Sequence, residues 1–460
     1  MENFKNKKIL IVGIGRTGFS LLNFFLNFTQ NIRVTDIRPI FDLNKAVKKL
    51  KKLSAPIEIT FGEHKEQDFI EADVVVYGPS ISPNLPQLEA ARKAGKKVYS
   101  EFQLAHTLTK TPIIAVCGTF GRTTISHMIG NALKLDGKEV FIGGTTETPF
   151  IEIYNAPNRD KLNYVVVEVS AGQLRNLTNF KPVLTVFSNL DEHYPKNLFK
   201  SASEYVEVNL DLVKALSNSQ ILVANYHALF SNAFFKNSKA QTYWYSRKSF
   251  IENGLINEVQ GTHFHDKRIH CNISSHTEFR VSKMRIVGQE NRENLLAAIT
   301  ACKALDVSDK AIQTTIERFP GIPHRLEFLV EKNGVGFYND SKSSTMPEML
   351  KSIQSFKAPI ILIAGGKDIE ELDYSKFVKP ILEYCRVLVL VGECKERLNR
   401  AMADHPQTFV VGSFEESVLL AYQKSRTGDV ILLSPGNPAT DVFRDYEERG
   451  NYFKKLVFQL

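Results

Sequence analysis

The hydrophobic positions of this chain fall into short apolar runs, most of which lead into a turn that contains glycine. The clearest run is Ile113–Cys117, whose unbroken apolar character is typical of a strand buried on both faces of a parallel sheet. From Thr123 to Leu135 apolar residues recur at helical spacing, and Gly137 follows as a helix stop. Similar runs predict strands at Ile9–Val12, Ile32–Thr35, Val74–Tyr77, Tyr164–Val167, Ile360–Ala364 and Val387–Val391. Strands that alternate with helices predict an α/β protein with parallel sheets.

The length of the chain sets the expected number of domains. A chain of 460 residues is long enough for about three domains of ordinary size. We place these domains at residues 1–110, 111–320 and 321–460. With 43% hydrophobic and 23% charged residues, the composition is normal for a globular protein that can bury sizeable cores.

Charge and composition argue against several classes of function. The basic residues behind the net charge of +8 are dispersed apart from Lys45–Lys52, a segment typical of the solvated face of a helix. Small anionic substrates explain the excess charge equally well, and we expect no nucleic-acid partner. No run approaches the ~20 apolar residues of a membrane span, so we expect no membrane insertion and a cytoplasmic location. The cysteines, odd in number and without C-x-x-C spacing, suggest neither a disulfide framework nor a zinc knuckle.

A group of histidines lies between residues 263 and 276. Its members, with one neighbouring cysteine, are His263, His265, His270, Cys271 and His276. Their spacing is neither helical nor that of a zinc knuckle, so we favour a polar surface loop, with metal binding as the alternative.

The turn after Ile113–Cys117 has the strand–glycine turn–helix arrangement that is typical of a phosphate-binding site. Gly118–Thr124, with the sequence GTFGRTT, joins a buried strand to a helix, so that backbone N–H groups and the positive end of the helix dipole point into the turn. It is not a generic Walker A motif, because the first glycine of that motif would fall on Val116. A glycine-rich turn without any ligand is the alternative interpretation.

A second glycine turn lies near the N-terminus. Gly13–Gly18 follows a strand with G-x-G-x-x-G spacing, and Asp36 closes the next predicted strand, where a dinucleotide-binding fold places the acid for a ribose hydroxyl. Taken alone, this pattern permits an NAD-dependent oxidoreductase.

About eight motifs in the right order resemble the Mur ligase family, which builds the peptide stem of peptidoglycan. Gly118–Thr124 resembles the family's ATP loop, and Gly13–Gly18 resembles the turn with which its D-glutamate-adding branch holds UDP. Glu168–Leu174, Gly321–Glu327 and Asn339–Thr345 resemble further motifs of the family. The resemblance implies three domains: an N-terminal Rossmann-like UDP-binding domain, a central P-loop-type ATPase domain and a C-terminal Rossmann-like domain.

The resemblance also implies a role for individual residues. The implied catalytic residues are Arg122, Glu168, His193 and Lys342, and the implied metal ligands are Thr123, Glu168 and His193. The implied ATP-binding residues are Gly118, Thr119, Gly121, Arg122, Thr123, Thr124, Asn291, Asn294, Arg325 and Asp340. The implied UDP-substrate residues are Gly13, Gly15, Thr17, Gly18, Asp36, Arg38 and Ser170. The implied amino-acid-binding residues are Lys342, Ser344 and Thr440.

The implied activity is ATP-dependent amide formation between UDP-N-acetylmuramoyl-L-alanine and D-glutamate, through an acyl phosphate. The implied cofactors are ATP and Mg²⁺, and we expect a monomer. The alternatives are a catalytically impaired relative that binds UDP-sugar or nucleotide, a ligase for a different amino acid, and the NAD oxidoreductase, which gives no role to Glu168, Arg325 or Lys342.

Five positions depart from the family's motifs. Arg122 replaces the loop lysine, Asn209 replaces the lysine that becomes carbamylated, and the other three departures are Thr145, Glu290 and Ala439. Guanidinium is planar and bulkier than ammonium, so Arg122 keeps the charge but not the shape of a loop lysine. We therefore expect a slow ligase or a nucleotide binder that turns over poorly.

Overall fold

A computed structural model describes residues 3–50, 53, 56–145, 147–175, 177–190, 198–228, 238–255, 258–370, 372–403 and 405–460. The chain forms two compact units. The first consists of Met1–Phe279 and Asn294–Thr315, and the second consists of Arg280–Glu293 and Ile316–Leu460. This division is coarser than the three predicted domains, whose boundaries stay a prediction.

The first sheet of the first unit is five-stranded and parallel, with the order β3-β2-β1-β4-β5. Its strands are β1 Ile9–Val12, β2 Ile32–Asp36, β3 Ile57–Phe61, β4 Val74–Tyr77 and β5 Lys97–Ser100. Its helices are α1 Arg16–Phe25, α2 Asn44–Leu50, α3 Glu66–Glu71, α4 Pro86–Lys93 and α5 Glu101–Leu108, with a 3-10 helix at Ile40–Leu43. This strand order is that of a doubly wound sheet. Strand β1 is buried along its whole length, as its apolar run predicts.

The second sheet has nine strands in the order β14-β13-β12-β11-β10-β9-β6-β8-β7. The strands are β6 Ile113–Cys117, β7 Val140–Gly143, β8 Tyr164–Glu168, β9 Leu184–Phe187, β10 Ile221–Asn225, β11 Gln241–Ser246, β12 Gly261–His265, β13 Arg268–Cys271 and β14 Thr277–Arg280. The strands from β6 to β12 pair in parallel, whereas β12 and β13 form an antiparallel hairpin. The strands β8 and β9 flank β6, so the segments that follow all three emerge at the same edge.

The helices that follow in the chain around this sheet are short or moderate in length. They are α6 Arg122–Leu135, α7 Ala171–Leu174, α8 Ala202–Ala215, α9 Gln289–Ala304 and α10 Asp309–Arg318, with 3-10 helices at Phe150–Asn155 and Arg159–Lys161. Glu101, at the start of α5, accepts a hydrogen bond of 2.7 Å from the backbone N–H of Ile151. Its side chain is fully buried, and burial raises the pKa of Glu101 to about 7.

The second unit contains a six-stranded sheet with the order β15-β16-β20-β17-β18-β19, parallel except for β15 against β16. Its strands are β15 Glu327–Lys332, β16 Val335–Asn339, β17 Ile360–Gly365, β18 Cys385–Val391, β19 Thr408–Val410 and β20 Val430–Gly436. Its helices are α11 Met346–Ile353, α12 Val378–Tyr384, α13 Lys395–Ala401, α14 Phe414–Gln423 and α15 Tyr446–Gln459, with a 3-10 helix at Tyr374–Phe377. Alternate residues of β17 enter separate apolar clusters, as expected for a strand covered on both faces.

The surface-loop interpretation of the histidine group is wrong. His263 lies on β12 and His270 on β13, and both side chains are buried. Asp266 and Lys267 form the two-residue turn of this hairpin, and both have positive φ, 47° and 60°. Such a turn matches the twist of paired strands, which is why a polar stretch without regular apolar spacing folds as strands.

All five cysteines are buried, and none forms a disulfide. Burial raises the pKa of Cys117, Cys302 and Cys385 to about 12.

Candidate functional site

The phosphate-type turn connects β6 to α6 and depends on two glycines. Gly118 has φ of 114° and Gly121 has φ of 83°, a left-handed backbone that other residues rarely adopt. A Cβ on Gly118 would lie 2.3 Å from Ser188 Oγ, and one on Gly121 would lie 2.1 Å from Asn294 Oδ1. Any side chain at either position would therefore displace its neighbours as well as strain the backbone.

Neighbouring segments fix the conformation of this turn. Asn189, just after β9, accepts the Thr119 N–H with its backbone oxygen at 2.9 Å and the Phe120 N–H with Oδ1 at 3.1 Å. The Thr119 hydroxyl shares a hydrogen bond of 2.8 Å with the hydroxyl of Tyr205 on α8. The sequence analysis assigned no role to Asn189 or Tyr205. For Tyr205 the available signal was its position four residues before Asn209, one of the five departures from the family's motifs.

Two oxygen-bearing side chains meet at the start of α6. The Thr123 hydroxyl donates a hydrogen bond of 2.9 Å to Glu168 Oε2, and Glu168 ends β8 with only 7% of its surface exposed. Thr124, the next helical residue, is also buried. The structure thus brings together Thr123 and Glu168, which are 45 residues apart in the chain.

The Arg122 side chain folds back onto its own loop. Its Nη1 donates to the backbone oxygen of Thr119 at 3.0 Å and also to that of Gly118. The guanidinium therefore binds the carbonyls of its own loop, acceptors that a planar fork of N–H donors can reach together.

Of the remaining candidates in this part of the chain, three lie among the described residues. His193 lies outside the described residues. Asn209 is buried in α8 and donates from Nδ2 to the Tyr205 backbone oxygen at 2.8 Å. Ser170 caps α7 in a reciprocal capping box with Gln173, so in this structure its hydroxyl serves the helix. Thr145 accepts the Thr148 N–H at 2.9 Å within a turn after β7.

The N-terminal glycine turn is held by an aspartate. Asp36 Oδ2 accepts the Ile14 N–H at 3.0 Å, and the Arg38 guanidinium donates to both Asp36 oxygens at 2.8 and 3.0 Å. Burial alone would raise the pKa of Asp36, but the hydrogen bonds from Arg38 and Ile14 outweigh it and lower the pKa. The carboxylate is thus held charged at the end of β2.

The glycines of this turn permit a close approach of strand and helix. A Cβ on Gly18 would lie 2.1 Å from the Gly13 backbone oxygen, and Gly13 has φ of 91°. Gly15 is the residue before α1, and Thr17 is buried within the first turn of that helix. This is the local geometry of a Rossmann-type nucleotide turn.

The second unit holds the remaining candidates. Asp340 is buried after β16, where Oδ1 accepts the Leu326 N–H at 3.1 Å and Oδ2 accepts the Ser434 hydroxyl at 2.7 Å. Burial raises the pKa of Asp340, and nearby serine hydroxyls oppose that rise. Its carboxylate thereby organises the segment that carries the exposed Arg325. The Lys342 ammonium lies 5.4 Å from the ring centre of Tyr446.

A cleft of about 940 Å³ opens at the carboxyl ends of β17, β18 and β20. Thr440 and Lys367 line it, while Ser344 lies outside its lining and donates to the Lys342 backbone oxygen at 3.3 Å. Arg449 is buried against the cleft and donates to the Ser341 and Asn437 backbone oxygens at 3.0 and 3.1 Å. Burial lowers its pKa to about 10. The sequence analysis assigned no role to Arg449.

The last four candidate positions are Asn291, Asn294, Glu290 and Ala439. Asn291 donates from Nδ2 to the Val287 backbone oxygen at 2.8 Å, within the second unit. Asn294 faces Gly121 within the first unit. Glu290 is exposed, whereas Ala439 is buried beside the cleft residue Thr440.

Comparison with known proteins gives matches over almost the whole chain. The Mur ligase middle domain matches residues 116–302, and the N-terminal domain of MurD-like Mur ligases matches residues 7–100. The UDP-N-acetylmuramoylalanine--D-glutamate ligase of Bdellovibrio bacteriovorus is 36% identical over 99% of this chain and 98% of its own. The chain belongs to the Mur ligase family. The enzyme of the same name from Caldanaerobacter subterraneus subsp. tengcongensis is 31% identical over 99% of both chains.

Solved structures agree on the Mur ligase fold. UDP-N-acetylmuramate-alanine ligase MurC from Thermotoga maritima aligns with a TM-score of 0.59 and 17% identity over 99% of this chain and 100% of its own. A UDP-N-acetylmuramoyl-L-alanyl-D-glutamate--2,6-diaminopimelate ligase aligns with a TM-score of 0.57 and 17% identity over 79% of this chain and 86% of its own. The predicted α/β fold class and family resemblance are confirmed.

Membership of the Mur ligase family makes the chain an ATP-dependent ligase by descent, since the family's ligases use ATP. The N-terminal glycine turn, which alone would permit an NAD-dependent oxidoreductase, therefore lies in a chain of the Mur ligase family. Among the described residues, no helix combines the length and the apolar character that a membrane span needs.

Proposed function

We propose that this chain joins D-glutamate to UDP-N-acetylmuramoyl-L-alanine in an ATP-dependent reaction that produces ADP and phosphate. The observation that carries the proposal is the 36% identity, over nearly the full length, to a curated ligase named for that reaction. The glycine turn beside Glu168 and the Asp36–Arg38 pair support it, because they offer a phosphate cradle and a nucleotide turn in one unit.

The proposed reaction has two steps. The terminal carboxylate of the UDP-linked substrate attacks the γ-phosphorus of ATP, and the bond to the β,γ-bridging oxygen breaks to release ADP. The amine of D-glutamate then attacks the acyl carbon, loses a proton and displaces phosphate. The Gly118–Thr124 backbone, the N-terminus of α6 and Arg122 would offset the negative charge on the phosphoryl oxygens.

Thr123 and Glu168 fit a Mg²⁺ ion. A hydroxyl and a carboxylate oxygen lie 2.9 Å apart at the carboxyl end of a parallel strand beside the phosphate turn, and oxygen is the ligand that Mg²⁺ prefers. His193 completes the proposed ligand set. When bound, Mg²⁺ supplies positive charge that shields the phosphate oxygens.

The other proposed contacts follow the family motifs. The UDP moiety is assigned to Gly13, Gly15, Thr17, Gly18, Asp36, Arg38 and Ser170. ATP is assigned to the glycine turn and to Asn291, Asn294, Arg325 and Asp340. D-Glutamate is assigned to Lys342, Ser344 and Thr440, of which Thr440 lines the cleft of the second unit.

A catalytically impaired nucleotide binder is the second candidate. Arg122 donates to the carbonyls of its own loop, and Asn209 is a buried amide in place of a lysine. The charge of Arg122 is thus engaged by the loop itself, and Asn209 supplies no charge at all. A lysine at each position would instead offer a compact ammonium group.

One assay separates the two candidates. Phosphate release from ATP is measured with UDP-N-acetylmuramoyl-L-alanine and a panel of amino acids that includes D-glutamate, and the product is identified by mass spectrometry. We expect a mass increase equal to one glutamate residue, dependent on D-glutamate and lost in Glu168→Gln. ATP binding without product under all conditions would instead establish the impaired binder.

A further inference from the structure

The β12–β13 hairpin collects histidines at one end of the nine-stranded sheet. His263 and His270 are directly paired across the strands, and their rings stack at 5.5 Å with an angle of 18° between planes. The His265 and His276 rings lie 5.5 and 5.7 Å from the His270 ring. Three imidazole rings therefore lie within 5.7 Å of the His270 ring, which is at the centre of the group.

The buried histidines of this group have unused polar atoms. His270 is 6% exposed, and neither of its ring nitrogens completes a hydrogen bond. The same is true of both nitrogens of His263, which packs against Phe250 with ring centres 4.9 Å apart. A buried polar group without a partner costs free energy, so such a group calls for an explanation.

Two exposed side chains face His270 from the adjoining strand. His276 precedes β14 and Glu278 lies on it, and one ligand atom from each comes within 4.8 Å of the others and of a His270 nitrogen. Arg268 donates to Glu278 Oε2 at 2.7 Å, which leaves Oε1 at 3.6 Å from His270 Nδ1. In tetrahedral coordination the ligand atoms lie about 3.3 Å apart. Small rotations of the exposed His276 and Glu278 side chains would shorten the present separations, which are within 4.8 Å, to that value.

We propose that His270, His276 and Glu278 bind a transition-metal ion of the zinc class, which clips β13 to β14 at the edge of the nine-stranded sheet. Two imidazoles and one carboxylate are typical of zinc and related ions, whereas Mg²⁺ and Ca²⁺ prefer all-oxygen sites. The clip closes the connection between the strands, where Ser274 has a strained φ of 59°. The site stands apart from the phosphate turn in both residues and ligand chemistry.

Zinc binding to the full, tag-free chain tests the proposal. Calorimetry with Zn²⁺ in the presence of excess Mg²⁺ measures the affinity and stoichiometry while the oxygen ligands of the phosphate turn stay saturated. Co²⁺ then replaces Zn²⁺, and its visible spectrum reports the coordination geometry. Hydrogen exchange of the segment 268–280 with and without Zn²⁺ locates the effect in the chain.

We expect one Zn²⁺ per chain and slower exchange of 268–280. His276→Ala and Glu278→Gln change exposed side chains, so both variants fold, and each should weaken Zn²⁺ binding by at least about tenfold. His227→Ala, an exposed histidine outside the group, should bind as the native chain does. Absence of Zn²⁺ binding, or equal affinity in the native chain and His276→Ala, would overturn the proposal.

Discussion

The hydroxyl of Tyr205 on α8 lies 2.8 Å from the hydroxyl of Thr119 in the phosphate turn. This contact joins two segments that are 86 residues apart and ties the position of the turn to α8, the helix that also carries Asn209. Because the ring of Tyr205 is buried, the hydroxyl is held in place by packing as well as by the hydrogen bond.

Tyr205→Phe keeps that packing and removes only the hydrogen bond. A hydrogen bond of this kind contributes about 0.5–1.5 kcal/mol, so we expect KM for ATP to rise about two- to tenfold. Tyr154→Phe is the matched control, because Tyr154 makes a comparable contact of 3.3 Å with Thr109 away from the turn. Steady-state kinetics of both variants measure the effect; an equal change in both would show that the loss is general.

Arg122→Lys should raise the turnover number. The guanidinium is engaged by two loop carbonyls, whereas an ammonium can move to the phosphate as a compact charge. Poor placement by about 1 Å costs on the order of a hundredfold in rate, so a gain of about tenfold or more is within reach. Arg122→Gln, which removes the charge, should lower kcat. A faster Arg122→Gln variant would contradict this account.

Adding Asn209→Lys to Arg122→Lys should increase turnover further if the lysine that becomes carbamylated in the family is restored to its function. Asn209 is 1% exposed and its amide donates to the Tyr205 backbone oxygen, so the longer lysine side chain has to be accommodated in a buried position. The double variant is compared with each single variant in the phosphate-release assay. Turnover of the double variant no higher than that of Arg122→Lys alone would count against restoration.

Glu101 should make stability depend on pH. Its pKa is about 7 when folded and 4.5 ordinarily, so the folded chain keeps a proton that the unfolded chain loses. The free energy of unfolding therefore falls as pH rises from about 4.5 to about 7, by up to about 3 kcal/mol. Glu101→Gln keeps an acceptor for Ile151 N–H and removes the titration.

Denaturant unfolding at pH 5 and at pH 8 tests this prediction. Relative to the native chain, Glu101→Gln should gain stability as the pH is raised. The exposed Glu89→Gln is the control and should show no such trend. A pH dependence shared by the native chain and Glu101→Gln would assign it to other groups.

Asp36→Asn should weaken UDP binding about tenfold or more, because a hydrogen bond to a charged group contributes about 1.5–3 kcal/mol. Asp36 holds both the glycine turn and Arg38, and its lowered pKa keeps it ionised at neutral pH. Asp73→Asn is the matched control, since Asp73 also accepts a backbone N–H, from Lys8, near the same sheet. Calorimetry with UDP and with NADH gives both affinities. Tight NADH binding without UDP binding would overturn the assignment.

The sequence was most informative where backbone conformation depends on residue type. Gly118 and Gly121 are required by positive φ and close neighbours, so the turn could be recognised from residues within a few positions of each other. The Thr119–Tyr205 contact could not, because it depends on how α8 packs across a long chain separation. The histidine hairpin was missed since His263 counts as polar in any pattern although it lies in the interior.

The buried cysteines give each unit its own chemical reporter of opening. Cys117, Cys271 and Cys302 lie in the first unit, and Cys385 and Cys394 lie in the second. An alkylating reagent attacks the thiolate, so a thiol with a pKa near 12 inside a closed core reacts only while its surroundings are open. Mass spectrometry therefore measures how fast the cysteine-containing peptides of each unit are labelled, and so follows the opening of both units in one sample. Cys117 precedes Gly118 directly, so its labelling records the openings that reach the phosphate turn.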